Sequence, residues 1–154
     1  MTDLRERLTQ ILALLEKEDR HLCGVRQRLF QGPTLDAERL AALLETPEGI
    51  DRLESFTSKF SRMQDTFVDK LLPIYLRNQG ELPGSAIDNL RRAEQLGLIE
   101  DAEGWVEMRL LRNRLVHEYV DDIAQLSEQL LLAREQAEAL HDSYLKLLSS
   151  TSPS

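Results

Sequence analysis

The stretch IDRLESFTSKFSRMQDTFVDKL, residues 50–71, has apolar side chains at intervals of three and four residues. These positions are Ile50, Leu53, Phe56, Phe60, Met63, Phe67 and Leu71. An α-helix has about 3.6 residues per turn, so this spacing places them all along one face. The spacing therefore predicts a long amphipathic helix, which is the strongest core candidate in the chain.

Similar apolar spacing predicts three more long helices, over the first thirty residues, from near Asp101 to near Tyr119, and after Asp122. Shorter helices are predicted over residues 35–44 and 85–96, and the glycine at 97 is a typical helix stop. Thr46 as N-cap followed by Pro47 predicts where the residue 50–71 helix begins. Further terminus signals are Ser85 and Asp101 as caps, Asp121 and Asp122 before the last helix, and Pro73 as a kink.

The composition agrees with an all-α protein. Hydrophobic residues make up 42% of the chain and aromatic residues only 5%, which leaves little material for strands. We expect an antiparallel up-and-down bundle of four long helices with one or two short ones. Residues 1–148 are predicted to form a single domain, and residues 149–154 a frayed C-terminal tail.

Charge and cysteine content limit the function. The net charge of -8 disfavours general nucleic-acid binding, so a site for RNA would need a local basic cleft, for example from Arg109, Arg112 and Arg114. The single cysteine, Cys23, excludes an intrachain disulfide and a cysteine-based zinc cluster. No apolar run reaches membrane-spanning length, and no cofactor motif is found. We expect a cytoplasmic protein without a metal or a cofactor.

The stretch RLLRNRLVHEYVDD, residues 109–122, is unusual for a packing helix. Arg112 falls near the middle of an apolar stripe formed by Trp105, Met108, Leu115, Val116 and Tyr119. A guanidinium in such a seam costs several kcal/mol unless it is paired or reaches water. Two explanations remain open: an ion pair inside the bundle with Asp65 or Asp69, or a position lining a cleft.

His117 adds possible chemistry to this stretch. Arg109, Asn113 and His117 follow one another at intervals of four residues on a face beside that of Arg112. A second copy across a two-fold axis would supply a second histidine. Two histidines suit RNA cleavage by its own 2′-hydroxyl, because one takes the hydroxyl proton and the other protonates the leaving 5′-oxygen. Arginine suits the phosphorane charge, and no metal is required.

The segment RNRLVHEY resembles the signature of the HEPN superfamily, in which Arg is followed after four residues by His, any residue and Tyr. It is most similar to the HepT toxin type, where Asn follows the Arg and an apolar residue precedes the His. Arg112 and Asn113, Val116 and His117, and Tyr119 match that pattern in order. The likeness extends more loosely over the chain, since the family is a helical bundle with the motif near the end of its third helix.

This resemblance implies a homodimer whose cleft is lined by the motif. It implies a metal-independent endoribonuclease toxin with Arg112 and His117 as catalytic residues and Asn113 and Arg109 in support. It also implies a nucleotidyltransferase antitoxin that neutralises the toxin by transferring AMP to Tyr119. The alternative is a non-catalytic accessory or substrate-binding partner of a nucleotidyltransferase, as proposed for related bundles.

Ordinary structural roles are the alternative for each of these side chains. Tyr119 lies on the apolar stripe, so packing with its hydroxyl at the edge is an equal alternative to modification. His21 and His141 are expected at the surface, and Cys23 and Trp105 are expected to be packing residues.

Overall fold

The computed structural model describes residues 3–31, 35–117 and 122–151, and the regular secondary structure in these ranges is helical, with no strand. The elements are α1 (Leu4–Leu29), α2 (Ala37–Leu43), α3 (Pro47–Asp65), a π-helical segment (Thr66–Leu71), α4 (Leu72–Asn78), α5 (Ala86–Gln95), α6 (Ala102–His117) and α7 (Ile123–Thr151). The predicted all-α class is confirmed. The last helix continues to Thr151, past the start of the predicted tail, and residues 152–154 lie outside the described ranges.

Several helix ends have the caps that the sequence predicts. The Thr46 hydroxyl accepts a hydrogen bond from the backbone N–H of Gly49 at 3.0 Å, and Pro47 opens α3. Gly97 has a φ of 77° and follows α5, where the Leu98 N–H donates to the Ala93 carbonyl in a Schellman arrangement.

The starts of α6 and α7 were both predicted from aspartates, with different outcomes. At the start of α6 the carboxylate that accepts the Ala102 N–H, at 3.1 Å, belongs to Glu94 on α5 and not to the predicted Asp101. At the start of α7, Asp122 accepts from the Ala124 N–H at 3.0 Å, as predicted. The predicted break near Tyr119 and the predicted cap Asp121 lie outside the described residues.

A π-helical turn interrupts the long helical run between α3 and α4. Proline removes one backbone donor and crowds the carbonyl four residues earlier, which here belongs to Asp69. The wider π turn precedes Pro73, and the Leu72 N–H donates to the Phe67 carbonyl five residues back. The predicted distortion is therefore a change of helical pitch over residues 66–71.

The core forms around the stripe of residues 50–71. All of its members are buried except Ile50, which is 37% exposed at the start of α3. The α3 helix packs against α1 on one side and α6 on another, and Phe67 stacks on Trp105 with ring centroids 4.5 Å apart. The α7 helix packs against α1, α2 and α6. This packing brings the motif helix α6 against α3, and the middle of α1 against α7.

Within the described ranges, no helix combines the length and the apolar character that crossing a bilayer requires.

Candidate functional site

Arg112 on α6 faces α3. Its Nη1 lies 3.0 Å from the Asp65 carboxylate and 3.5 Å from the carbonyl oxygen of Ser61. The Arg112 side chain is 18% exposed, whereas that of Asp65 is 45% exposed. Of the two explanations that the sequence leaves open, the interhelical ion pair is present, and its partner is Asp65.

Arg109 lies one turn earlier on α6 and faces two carboxylates, those of Asp69 and Asp65. Its Nη2 is 3.5 Å from the Asp69 carboxylate and 4.0 Å from that of Asp65. Two of the three arginines expected to form a basic cleft are therefore opposed by carboxylates of the same chain. The third, Arg114, is exposed on another side of the helix.

The opposite face of α6 is not covered by the rest of the described chain. Asn113 and Arg114 are exposed, and Leu110 has 54% of its surface exposed. His117 is the last residue of α6, but its side chain is outside the described part of the structure, as is all of Tyr119. The structure thus places Arg112 in the α3–α6 seam and Asn113 on the open face, one residue apart.

Several polar groups beside the Arg112–Asp65 pair are buried and have no hydrogen-bond partner among the described residues. They include Nε of Arg112 and both amide atoms of Gln64, which is completely buried on α3. Glu18 from α1 lies against the π-helical segment, and its burial raises the pKa of its carboxyl, partly offset by the Thr66 hydroxyl. The polar residues on this side of α3 therefore interrupt the apolar core.

A second cluster of reactive side chains joins α1 to α7. His141 Nδ1 lies 2.7 Å from Oδ1 of Asp19 and 3.7 Å from Sγ of Cys23. Asp19 is buried, and the His141 side chain is 29% exposed. His141, which was expected at the surface, is therefore partly buried and paired with Asp19, and Cys23, which was expected to pack, also contacts these two polar side chains.

Sequence reasoning missed this cluster because its halves are distant in the chain. Asp19 and Cys23 are one helical turn apart on α1, which a sequence can suggest. His141 is separated from Asp19 by 122 positions, and only the packing of α7 on α1 brings it near. The helical spacing of α7 indicates its buried face, but it does not indicate which residue of α1 lies opposite.

The geometry of the second cluster does not fit a thiol nucleophile. In a Cys–His–Asp triad the thiol and the carboxylate contact different ring nitrogens. One nitrogen accepts the thiol proton, and the carboxylate orients the ring through the other. Here Asp19 and Cys23 both approach Nδ1 of His141. Burial, followed by the charge of Asp19, also raises the pKa of the Cys23 thiol, which reduces the thiolate fraction.

Comparison of the chain with protein-family models, with characterised proteins and with solved structures gives no match. The resemblance to the HEPN superfamily therefore rests on the residues of the motif.

Proposed function

We propose that this chain is a metal-independent endoribonuclease toxin of the HEPN type, acting as a homodimer in the cytoplasm. The observation that supports it best is the position of the motif on α6. Arg112 is partly exposed at the edge of the α3–α6 seam, and the adjacent Asn113 lies on a face that no described part of the chain covers. A catalytic cleft between two copies requires such an uncovered face.

The exposed Leu110 favours a second copy of the chain as the partner on this face. Leu110 and Asn113 are three residues apart and lie on the same side of α6. An apolar side chain that is 54% exposed beside a polar motif is suited to the centre of a small symmetric interface. The proposed protomer is an antiparallel up-and-down bundle, and the two-fold axis passes near the end of α6.

In the proposed reaction the 2′-hydroxyl of the RNA attacks the neighbouring phosphorus, and the 5′-oxygen leaves. His117 of one protomer takes the hydroxyl proton, and the equivalent histidine of the other protonates the leaving oxygen. Arg112 stabilises the charge of the phosphorane. Its guanidinium has five N–H donors, and the contacts to Asp65 and Ser61 involve Nη1, so Asp65 orients the group without using all of its donors.

The proposed regulator is a nucleotidyltransferase antitoxin that transfers AMP to Tyr119. Tyr119 follows His117 by two residues, so AMP attached to it would add phosphate charge within the motif. The modification would then block RNA binding by charge repulsion and by occupying the cleft.

A second candidate function is that of a non-catalytic partner of a nucleotidyltransferase. The specific observation in its favour is that Asp65 and Asp69 oppose both Arg112 and Arg109 on a chain whose net charge is already -8. Charge neutralised within the chain contributes little to attracting polyphosphate.

RNA cleavage by the purified protein, with a chelator present, distinguishes the two functions. The ribonuclease function predicts that wild-type protein cleaves RNA and that His117→Ala lowers the rate by about 10² or more. His21→Ala is a matched control, because His21 is exposed on α1 and belongs to no motif. No cleavage by wild type, together with a stable complex with a nucleotidyltransferase, would replace the enzyme by the accessory protein. Growth arrest on expression of this gene alone is expected only for the toxin.

A further inference from the structure

Three side chains of α1 and α7 direct different metal-binding atoms at one point. The carboxylate of Asp19, the thiol of Cys23 and the imidazole of His141 supply one donor atom each, and these atoms all lie within 4.8 Å of one another. We propose that Asp19, Cys23 and His141 bind a divalent transition-metal ion, with Zn²⁺ as the favoured ion. This site shares no residue with the Arg112 and His117 motif.

The spacing of the donor atoms fits a zinc ion after a small adjustment. Typical zinc bond lengths in a tetrahedral arrangement place the sulfur about 3.6 Å from the nitrogen or oxygen ligands, and nitrogen about 3.4 Å from oxygen. In the structure Sγ of Cys23 is 3.7 Å from Nδ1 of His141 and 3.9 Å from Oδ1 of Asp19. The Asp19–His141 edge is shorter, at 2.7 Å, because these two atoms share a direct hydrogen bond. Entry of the ion would replace that hydrogen bond and widen the edge by about 0.7 Å.

The chemistry of the donors selects the class of ion. Thiolate and imidazole are preferred by zinc and related transition metals, whereas magnesium and calcium require oxygen ligands. On binding, the Cys23 thiol loses its proton to solvent, and His141 uses the Nδ1 lone pair while its ring proton moves to Nε2. Asp19 and Cys23 are one turn apart on a helix, so α1 presents both ligands without rearrangement.

Three protein ligands leave the fourth tetrahedral position for solvent. The His141 side chain is 29% exposed, and Cys23 also borders an open surface cavity together with Arg26 and Gln27. Water can therefore reach the proposed site. The ion would also tie the middle of α1 to α7, so that zinc binding stabilises the fold.

Metal titration of chelator-treated full-length protein tests this proposal without any activity assay. Cobalt(II) is the spectroscopic probe, because cysteine thiolate bound to it gives a charge-transfer band, and zinc affinity is then measured by competition with a chromophoric chelator. We expect one metal ion per chain, a thiolate band, and a higher melting temperature with zinc. The Cys23→Ser variant should lose the band and bind zinc more than about 100-fold more weakly, beyond the usual effect of losing an outer-shell partner.

Matched variants distinguish this site from adventitious binding. His141→Ala should weaken zinc binding as strongly as Cys23→Ser does, whereas His21→Ala, on the same protein but outside the cluster, should bind like wild type. Circular dichroism of each metal-free variant checks that it is folded. If His141→Ala does not fold, Cys23→Ser decides the matter, because serine conserves the shape of the side chain. Absence of the cobalt thiolate band in wild type, or unchanged zinc affinity in Cys23→Ser, would overturn the proposal.

Discussion

Replacing Arg112 and replacing Asp65 are expected to change the free energy of unfolding by different amounts, because the two side chains are unequally buried. Arg112 is 18% exposed and Asp65 is 45% exposed. Arg112→Ala leaves a carboxylate that water can reach, so its cost arises from the lost contact and the lost packing of the arginine stem. We expect Arg112→Ala to lower the free energy of unfolding by about 1–2 kcal/mol, which is less than the roughly 3–5 kcal/mol for breaking a fully buried pair.

Asp65→Asn leaves the more buried charge without its counterion. Among the residues that the structure describes, the Ser61 carbonyl, 3.5 Å from Nη1 of Arg112, is then the main remaining acceptor besides the new amide. A charged group that loses an ionic hydrogen bond costs about 1.5–3 kcal/mol, so this smaller chemical change should destabilise at least as much as Arg112→Ala. For a chain of 154 residues, each kcal/mol lowers the melting temperature by about 2–4 °C.

RNA cleavage measured on the same variants separates a catalytic Arg112 from a structural one. If Arg112 stabilises the phosphorane, Arg112→Ala should lower the RNA cleavage rate by about 10² or more. Asp65→Asn keeps the guanidinium, so its cleavage rate should fall much less. Thermal melting followed by circular dichroism at neutral pH supplies the stabilities. Arg109→Ala is the stability control, since its pair with Asp69 is longer and more exposed and should contribute at most about 1 kcal/mol.

Two results would contradict this division of roles between Arg112 and Asp65. A loss well above 3 kcal/mol in Arg112→Ala with little loss in Asp65→Asn would show that the burial argument assigns the cost to the wrong partner. Reductions of cleavage that follow the loss of stability in the two variants, with no additional loss in Arg112→Ala, would make Arg112 a structural residue.

Three further predictions concern packing, association and alkaline pH. Gly49→Ala should lower the free energy of unfolding, measured in urea, by about 3 kcal/mol or more, because a Cβ there would lie 1.8 Å from the Leu43 carbonyl oxygen. Gly24→Ala is the control: its Cβ would face only a flexible arginine, so its stability should be unchanged or slightly higher. Leu110→Glu should convert the proposed dimer to a monomer in sedimentation, with its helical content unchanged. A wild-type mass near 17.7 kDa at micromolar concentration would contradict the dimer. Burial raises the pKa of Tyr75, so the folded state holds this proton more tightly than the unfolded state, and stability should fall as pH rises above about 10. Tyr75→Phe should lose less stability than wild type between neutral and alkaline pH, and identical melting profiles would contradict that assignment.

The helices were predictable because their signals are local. The stripe of residues 50–71 follows the helical period, and Thr46, Pro47 and Gly97 mark helix ends through contacts within a few residues. The pairing of Arg112 with Asp65 was predictable as one alternative, because a charge within an apolar stripe needs a partner nearby. The π-helical turn was only partly predictable, since proline indicates where a helix is disturbed but not the form of the disturbance.

Contacts between distant helices could not be predicted in the same way. Apolar stripes determine which face of each helix is buried, but leucine packs on leucine in many registers, so the stripes do not determine which residues lie opposite one another. The partners of Asp19 and of the Ala102 N–H were missed for this reason, and each comes from another helix.

Polar pairs between helices resolve this degeneracy at a cost in stability. A helix slipped by one turn keeps most of its apolar contacts, but it would separate Arg112 from Asp65 and leave a partly buried charge unpaired. The Asp19–His141 contact imposes the same requirement on α1 and α7. We therefore expect these few polar contacts to favour one alignment of helices whose apolar stripes are otherwise similar. Those contacts lie at the two places where we propose chemistry, because residues able to transfer protons, stabilise charge or bind a metal also need one defined partner.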